Sequence, residues 1–225
     1  PDQKTWMFFP EVTEGGRFLA VHLSKGTNEE NLLFVKDLKQ RDADWKPLVE
    51  EFYAAFIVLG ASGDSLVVRT TYKAPKGRII TIPIGQTNRN AWPELVPEKE
   101  DTLAEAAMDG RYLVLNYLKA ATGYVAVLPL DDKSKQRRLP LPQNATVSLS
   151  GDSPRYFMVT SFTEPSMAYE CADGGACKPL LDRELPFDPN HFEGRQVFYP
   201  SKDGTRIPMF IVGPKGAARD GSTPL

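Results

Sequence analysis

The sequence predicts an all-β chain: β-propeller blades of four antiparallel strands, about four of them, followed by a hairpin that opens a different unit. Three observations predict it. A glycine-led turn followed by a β-branched or aromatic run recurs at Gly16, Gly63, Gly110 and Gly151, in steps of 47, 47 and 41 residues, and propeller blades recur at about 40–50 residues. The runs that follow each turn keep one order in every repeat. No segment reads as a long helix; the stretch 104–107 is the one that favours a helix, a single turn at most.

Within each repeat the strands come in the same sequence. The first run after the turn covers residues 17–21, 64–68, 111–115 and 155–159. A second follows after a loop, at 31–35, 78–82, 124–128 and 167–171. A short Pro/Leu strand closes the unit, at 46–49, 93–96, 139–142 and 178–181. Proline suits an edge, where a missing N–H is tolerated. The fourth strand lies before each glycine turn, as at 52–59 and 145–149. Strands packed between neighbouring blades bury both faces, which accounts for unbroken apolar runs such as 56–59. Four blades leave open edges, which natural sheets avoid, so further blades are expected before Pro1 and both termini read as truncations.

Composition narrows the classes of function. The chain has 225 residues, 41% of them hydrophobic, with 27 basic and 29 acidic residues and a net charge of −2. The charges are interspersed, without the basic stripe of a nucleic-acid binder. The densest runs, Lys133, Lys135, Arg137 and Arg138 and the opposite-signed Glu98, Glu100 and Asp101, read as solvated loops. No apolar stretch reaches the ~20 residues of a membrane-spanning helix. No Gly-rich loop runs from a strand into a helix to cradle a phosphate, so no cofactor is expected. Metal-ligand spacing is missing as well. Cys171 and Cys177 flank a turn-like Asp173-Gly174-Gly175. They are either two reduced thiols of a cytoplasmic protein or a cross-strand disulfide, which requires an oxidising compartment such as the periplasm.

The C-terminal part breaks the blade period. Gln196 through Val212 reads as a hairpin, with Asp203-Gly204 signalling a type I′ turn between two β-branched or aromatic runs. This divides the chain into 1–194 and 195–225. The run Phe198-Tyr199-Pro200-Ser201-Lys202-Asp203-Gly204-Thr205, with Pro208-Met209-Phe210 after it, resembles the strand pair that opens the α/β-hydrolase domain of the prolyl oligopeptidase family of serine peptidases. The stretches 160–163, Val96-Pro97-Glu98, Tyr117-Leu118 and Trp6-Met7 resemble other points of that family's propeller. The resemblance covers nearly the whole chain and is most specific at residues 197–212.

The resemblance implies a monomeric two-domain enzyme. A propeller of about seven blades gates the catalytic domain of the same protein, which cleaves short proline-containing peptides after proline with a Ser/Asp/His triad. Other readings are a sister peptidase of the oligopeptidase B, acylaminoacyl or dipeptidyl peptidase type, or a non-enzymatic propeller scaffold. No residue of the triad is assigned here. There is no Gly-x-Ser-x-Gly, His22 reads as a packed strand histidine, and His191 as a loop residue. The family's propeller lends side chains to the substrate pocket. Met7 matches an apolar residue of that pocket, where a thioether adapts to varied side chains. Ser24 and Thr27 stand where the family often carries Arg and Cys, which implies a weaker hold on charged peptide groups.

Overall fold

A computed structural model of the chain describes residues 3–149, 155–171, 177–181, 184–218 and 221. The turns expected at Gly151 and at 173–175 lie outside them. Four antiparallel four-stranded sheets follow one another along the sequence, each in the order of the chain. Blade one holds β1 (Trp6–Val12), β2 (Phe18–Lys25), β3 (Asn31–Asp37) and β4 (Lys46–Val49). Blade two holds β5 (Phe56–Ser62), β6 (Ser65–Thr70), β7 (Arg78–Pro83) and β8 (Glu94–Val96). Blade three holds β9 (Thr102–Met108), β10 (Tyr112–Lys119), β11 (Thr122–Pro129) and β12 (Arg137–Arg138). Blade four holds β13 (Thr146–Leu149), β14 (Tyr156–Thr160), β15 (Met167–Cys171) and β16 (Cys177–Pro179). A separate two-stranded hairpin, β17 (Phe192–Pro200) and β18 (Arg206–Pro214), follows.

The second strand of each blade explains why its residues do not alternate between apolar and polar. On β6, Leu66 and Val68 pack with Phe18, Ala20 and Val35 of blade one. Val67, between them, packs with Leu103, Leu113 and Leu115 of blade three. On β10, Leu113, Leu115 and Tyr117 face blade two, while Tyr112 and Val114 face Val147, Phe157 and Val159 of blade four. Side chains of a strand point to opposite faces in turn, and here both faces meet a neighbouring sheet. The three cores are therefore seams between blades. Burial of their large side chains stabilises each seam by about 1.5–3 kcal/mol per residue.

Several boundaries differ from those read in the sequence. The stretch 104–107 is not helical: it lies inside β9, where Ala106 and Ala107 oppose Leu115 and Val114 of β10. The strand expected over 52–59 runs from Phe56 to Ser62 and bends at a bulge between Val58 and Gly60. Blade three closes with Arg137–Arg138 rather than with 139–142. The charged runs are more than solvated loops: Tyr124 donates to Asp101 at 2.9 Å, Lys76 N donates to Glu98 at 2.6 Å, and the Arg138 guanidinium lies 4.1 Å from the Tyr124 ring centroid. Cys171 and Cys177 are register partners across β15 and β16, and a disulfide joins them with Cα atoms 4.0 Å apart. The reading of two reduced thiols is thereby replaced.

The turn at Asp203-Gly204 is not of the type expected, and a type I′ turn lies elsewhere. Ala120 and Ala121 (φ 46° and 65°) form a two-residue connection between Lys119 and Thr122, which face each other across β10 and β11. Positive φ at both central residues is the mark of a type I′ turn. At Asp203-Gly204 only the glycine has positive φ, at 84°. Gly204 N donates to Ser201 O at 3.0 Å and Ser201 N to Thr205 O at 2.8 Å, so a three-residue loop ends in a left-handed glycine.

Candidate functional site at the loop end of the blades

Four loops join second to third strands: residues 26–30, 71–77, 120–121 and 161–166. Because every blade is wound in the same order, all four lie at one end of the assembly. Met7 and Ser24 sit at this end of blade one as direct register partners across β1 and β2. Opposed residues of an antiparallel pair project from the same face. That face carries Phe18 and Ala20 toward blade two. Met7 is 43% exposed, Ser24 is half-buried and Thr27 is exposed in the loop just beyond. Gly26 turns the chain there with φ 62°. Trp6 packs edge-on against Phe52, with ring centroids 5.5 Å apart, and this fixes the start of β1 against the link into blade two. The structure therefore brings Met7, Ser24 and Thr27 to one corner, bordered by an aromatic pair.

The hairpin docks on the same end. Asn144 Nδ2 donates to Gly194 O at 2.6 Å, and the Gln196 side-chain amide donates to Ala120 O. Phe162, in the β14–β15 loop, packs on Phe210 of β18 with ring centroids 4.8 Å apart. Between them runs a cleft of about 440 Å³ bordered by Gln143, Glu164, Asn190 and Arg195.

Neither histidine belongs to this corner. His22 is buried on β2; its Nδ1 lies 3.2 Å from Asn31 Nδ2 and its Nε2 3.5 Å from Glu11 Oε2. That second contact is an ion pair only when the ring is protonated, and it falls short of hydrogen-bond geometry. His191 is exposed in a short 3-10 turn, 3.7 Å from Asp188. Both positions agree with a packed and a loop histidine.

Sequence reasoning missed a set of polar residues inside the seams. His22, Arg69 and Asn116 stand 47 residues apart, each on the second strand of its blade and facing the blade that follows. Asn31, beside His22, bonds the main chain of Phe56. Arg69 Nη1 donates to Leu103 O at 3.3 Å, and Asn116 Nδ2 to Val147 O at 3.0 Å. Glu105 joins the last of these, accepting from Asn116 Nδ2 at 2.9 Å and from Leu149 N at 3.0 Å. Burial pulls Arg69 below its ordinary value, opposed by the charges of Glu105 and Glu29. Ile57, Leu59, Arg69, Glu105 and Leu149 border a cleft of about 220 Å³ along the inner strands. The signal was legible: one polar residue inside an otherwise apolar strand, repeated at the blade period.

Repeated four-stranded blades packed face to face through apolar seams, with a separate two-stranded hairpin on their loop end, define a propeller module. Residues 1–177 match the family model for the N-terminal β-propeller domain of prolyl oligopeptidase, and the chain belongs to that family. It is 28% identical over 218 residues to a prolyl endopeptidase of Elizabethkingia miricola, covering 95% of this chain and 30% of that protein. It is 29% identical over 243 residues to prolyl oligopeptidase A of Amanita bisporigera, covering 97% and 30%. A solved prolyl endopeptidase structure superposes with a TM-score of 0.78 at 31% identity, over 95% of this chain and 32% of that one. Prolyl oligopeptidase B of Galerina marginata, bound to a 25mer macrocyclization substrate, does so with a TM-score of 0.78 at 25% identity, over 96% and 32%. The chain thus spans about a third of the length of the relatives it matches.

Proposed function

We propose that this chain is the substrate-gating propeller segment of a proline-specific serine peptidase that cleaves short peptides after proline, with residues 1–194 forming the gate and 195–225 beginning the catalytic domain. The observation that carries the reading is the hairpin's position. It docks on the blade end that holds Met7, Ser24 and Thr27, so a catalytic domain continuing from β18 would face those three side chains. Met7 then supplies an adaptable apolar wall to the peptide, while Ser24 and Thr27 offer hydroxyls where a cation or a thiol would grip more strongly. The triad, oxyanion hole and proline pocket lie in this reading on the catalytic domain, and the chain by itself is inert. The disulfide favours an oxidising compartment such as the periplasm over the cytoplasm. The whole protein works as a monomer.

The test is cleavage of a fluorogenic Gly-Pro amide by the full-length polypeptide, with a serine-directed phosphonate as control and residues 1–225 alone beside it. Cleavage by the whole protein, blocked by the phosphonate and absent from the shorter chain, is the expected result. A whole protein without proline-specific cleavage, or a shorter chain that cleaves, overturns the reading.

A further inference from the structure

The geometry points to Asn144 and Gln196 as a two-point pin that sets how the second unit sits on the propeller, and so as positioning residues for the gate. The two amides cross the junction in opposite directions. Asn144 reaches out of the link between blades three and four to Gly194 O. Gln196 reaches back from β17 to Ala120 O at the tip of blade three. Both are half-buried, and each meets a main-chain carbonyl, so rotation of a partner side chain cannot relieve a broken contact.

The backbone on the propeller side is held in an uncommon state at both points. Asn144 has φ 56°, and Ala120 and Ala121 have φ 46° and 65°. Asparagine tolerates the left-handed region; alanine does so at a cost, and such conformations persist where the surroundings over-determine them. Gly194 lies against both partners: a Cβ there would make ordinary contacts, 3.6 Å from Phe162 Cβ and 3.7 Å from Asn144 Nδ2. Gln196 stands directly opposite Phe210 in the hairpin register, and Phe210 makes the apolar contact with Phe162. One rung of the hairpin thus carries both a polar and an apolar tie, to blades three and four respectively. Loss of the two amide bonds leaves the Phe162–Phe210 contact as a pivot without a fixed angle.

The pin stands on the geometry; its kinetic consequence rests on the peptidase reading. The test uses the full-length polypeptide. Asn144→Asp and Gln196→Glu keep shape and replace the donor by an acceptor that faces a carbonyl, while Gln196→Lys keeps a donor. Amide hydrogen exchange over residues 192–200 is expected to rise about fivefold or more in each of the first two variants, as for loss of one hydrogen bond, with blade two unchanged and Gln196→Lys close to the parent. In the peptidase, kcat/KM for a proline peptide falls by a similar factor in the first two and recovers in Gln196→Lys. Unchanged exchange over 192–200 overturns the pin, as does a rise spread evenly over all blades. If the parent cleaves no proline substrate while the exchange result holds, the peptidase reading fails and the pin stands.

Discussion

The side-chain amide of Asn31 exchanges two hydrogen bonds with the main chain of Phe56: Oδ1 accepts from Phe56 N at 2.7 Å, and Nδ2 donates to Phe56 O at 3.0 Å. A side chain of blade one thereby stands in for a paired strand along the inner strand of blade two. Both groups are buried, Asn31 to 4% exposure and Phe56 completely. Removing the amide leaves a donor and an acceptor without partners. Asn31→Ala is expected to destabilise the fold by about 2–3 kcal/mol, read as a lower urea midpoint at unchanged slope.

The turn at 120–121 holds two alanines in the left-handed region, where asparagine and glycine are at home. Ala120→Asn combined with Ala121→Gly is expected to stabilise the protein by about 1–2 kcal/mol, seen as a higher urea midpoint. The carbonyl that receives Gln196 belongs to the main chain and is retained. A lower midpoint would mean that the alanine methyls carry packing that outweighs their strain.

The disulfide closes a short loop, its ends separated by 6 positions in sequence, and ties the three-residue β16 to β15. Cross-linking so short a loop contributes about 2 kcal/mol. Cys171→Ser with Cys177→Ser is expected to lose that much or slightly more, because Cys171 is 2% exposed and packs in the seam between blades three and four. Dithiothreitol should lower the midpoint of the parent and leave the double variant unaffected.

Buried and half-buried tyrosines make the fold sensitive to alkali. Burial, above all, pushes Tyr53, Tyr117 and Tyr124 up from their ordinary 10 to about 12; at Tyr124 the bond to Asp101 adds to it. A phenol whose value is raised on folding keeps its proton longer in the native state than in the unfolded one. Its contribution is complete below pH 10 and is lost as pH rises from about 10 to about 12. Absorbance at ~295 nm should show these phenols titrating late, and Tyr124→Phe should remove one of them and flatten the fall in stability over that range. All three titrating near 10 in the native protein would contradict it.

If Met7 and Ser24 face substrate, their substitution should act on peptide binding. Met7→Ala is expected to raise KM several-fold, with little change in stability because the side chain is already 43% exposed. Ser24→Arg should lower KM for an acidic peptide through charge attraction, and the gain should shrink as salt is added. A KM for the acidic peptide that does not move in Ser24→Arg would remove Ser24 from the site.

How much of this was legible in the sequence can be read from particular residues. The glycine period and the order of strands within it determined the blades. Turn chemistry and strand composition are local properties, so a single sequence carries them. Tertiary structure alone decided the rest. The stretch 104–107 became a strand because pairing with β10 outweighs a helix preference of well under about 1 kcal/mol per residue. The sulfurs of Cys171 and Cys177 meet because the register of β15 and β16 places them opposite each other. The type I′ turn formed at two alanines because the register of Lys119 with Thr122 leaves only two residues to connect the strands. His22, Arg69 and Asn116 were visible as a spacing, but which main-chain groups the seams bring to them depends on packing between blades far apart in sequence. The same holds for Asn144 and Gln196, which meet their carbonyls across 50 and 76 residues of chain: contacts between distant segments depend on the whole arrangement of sheets, and no local pattern encodes them.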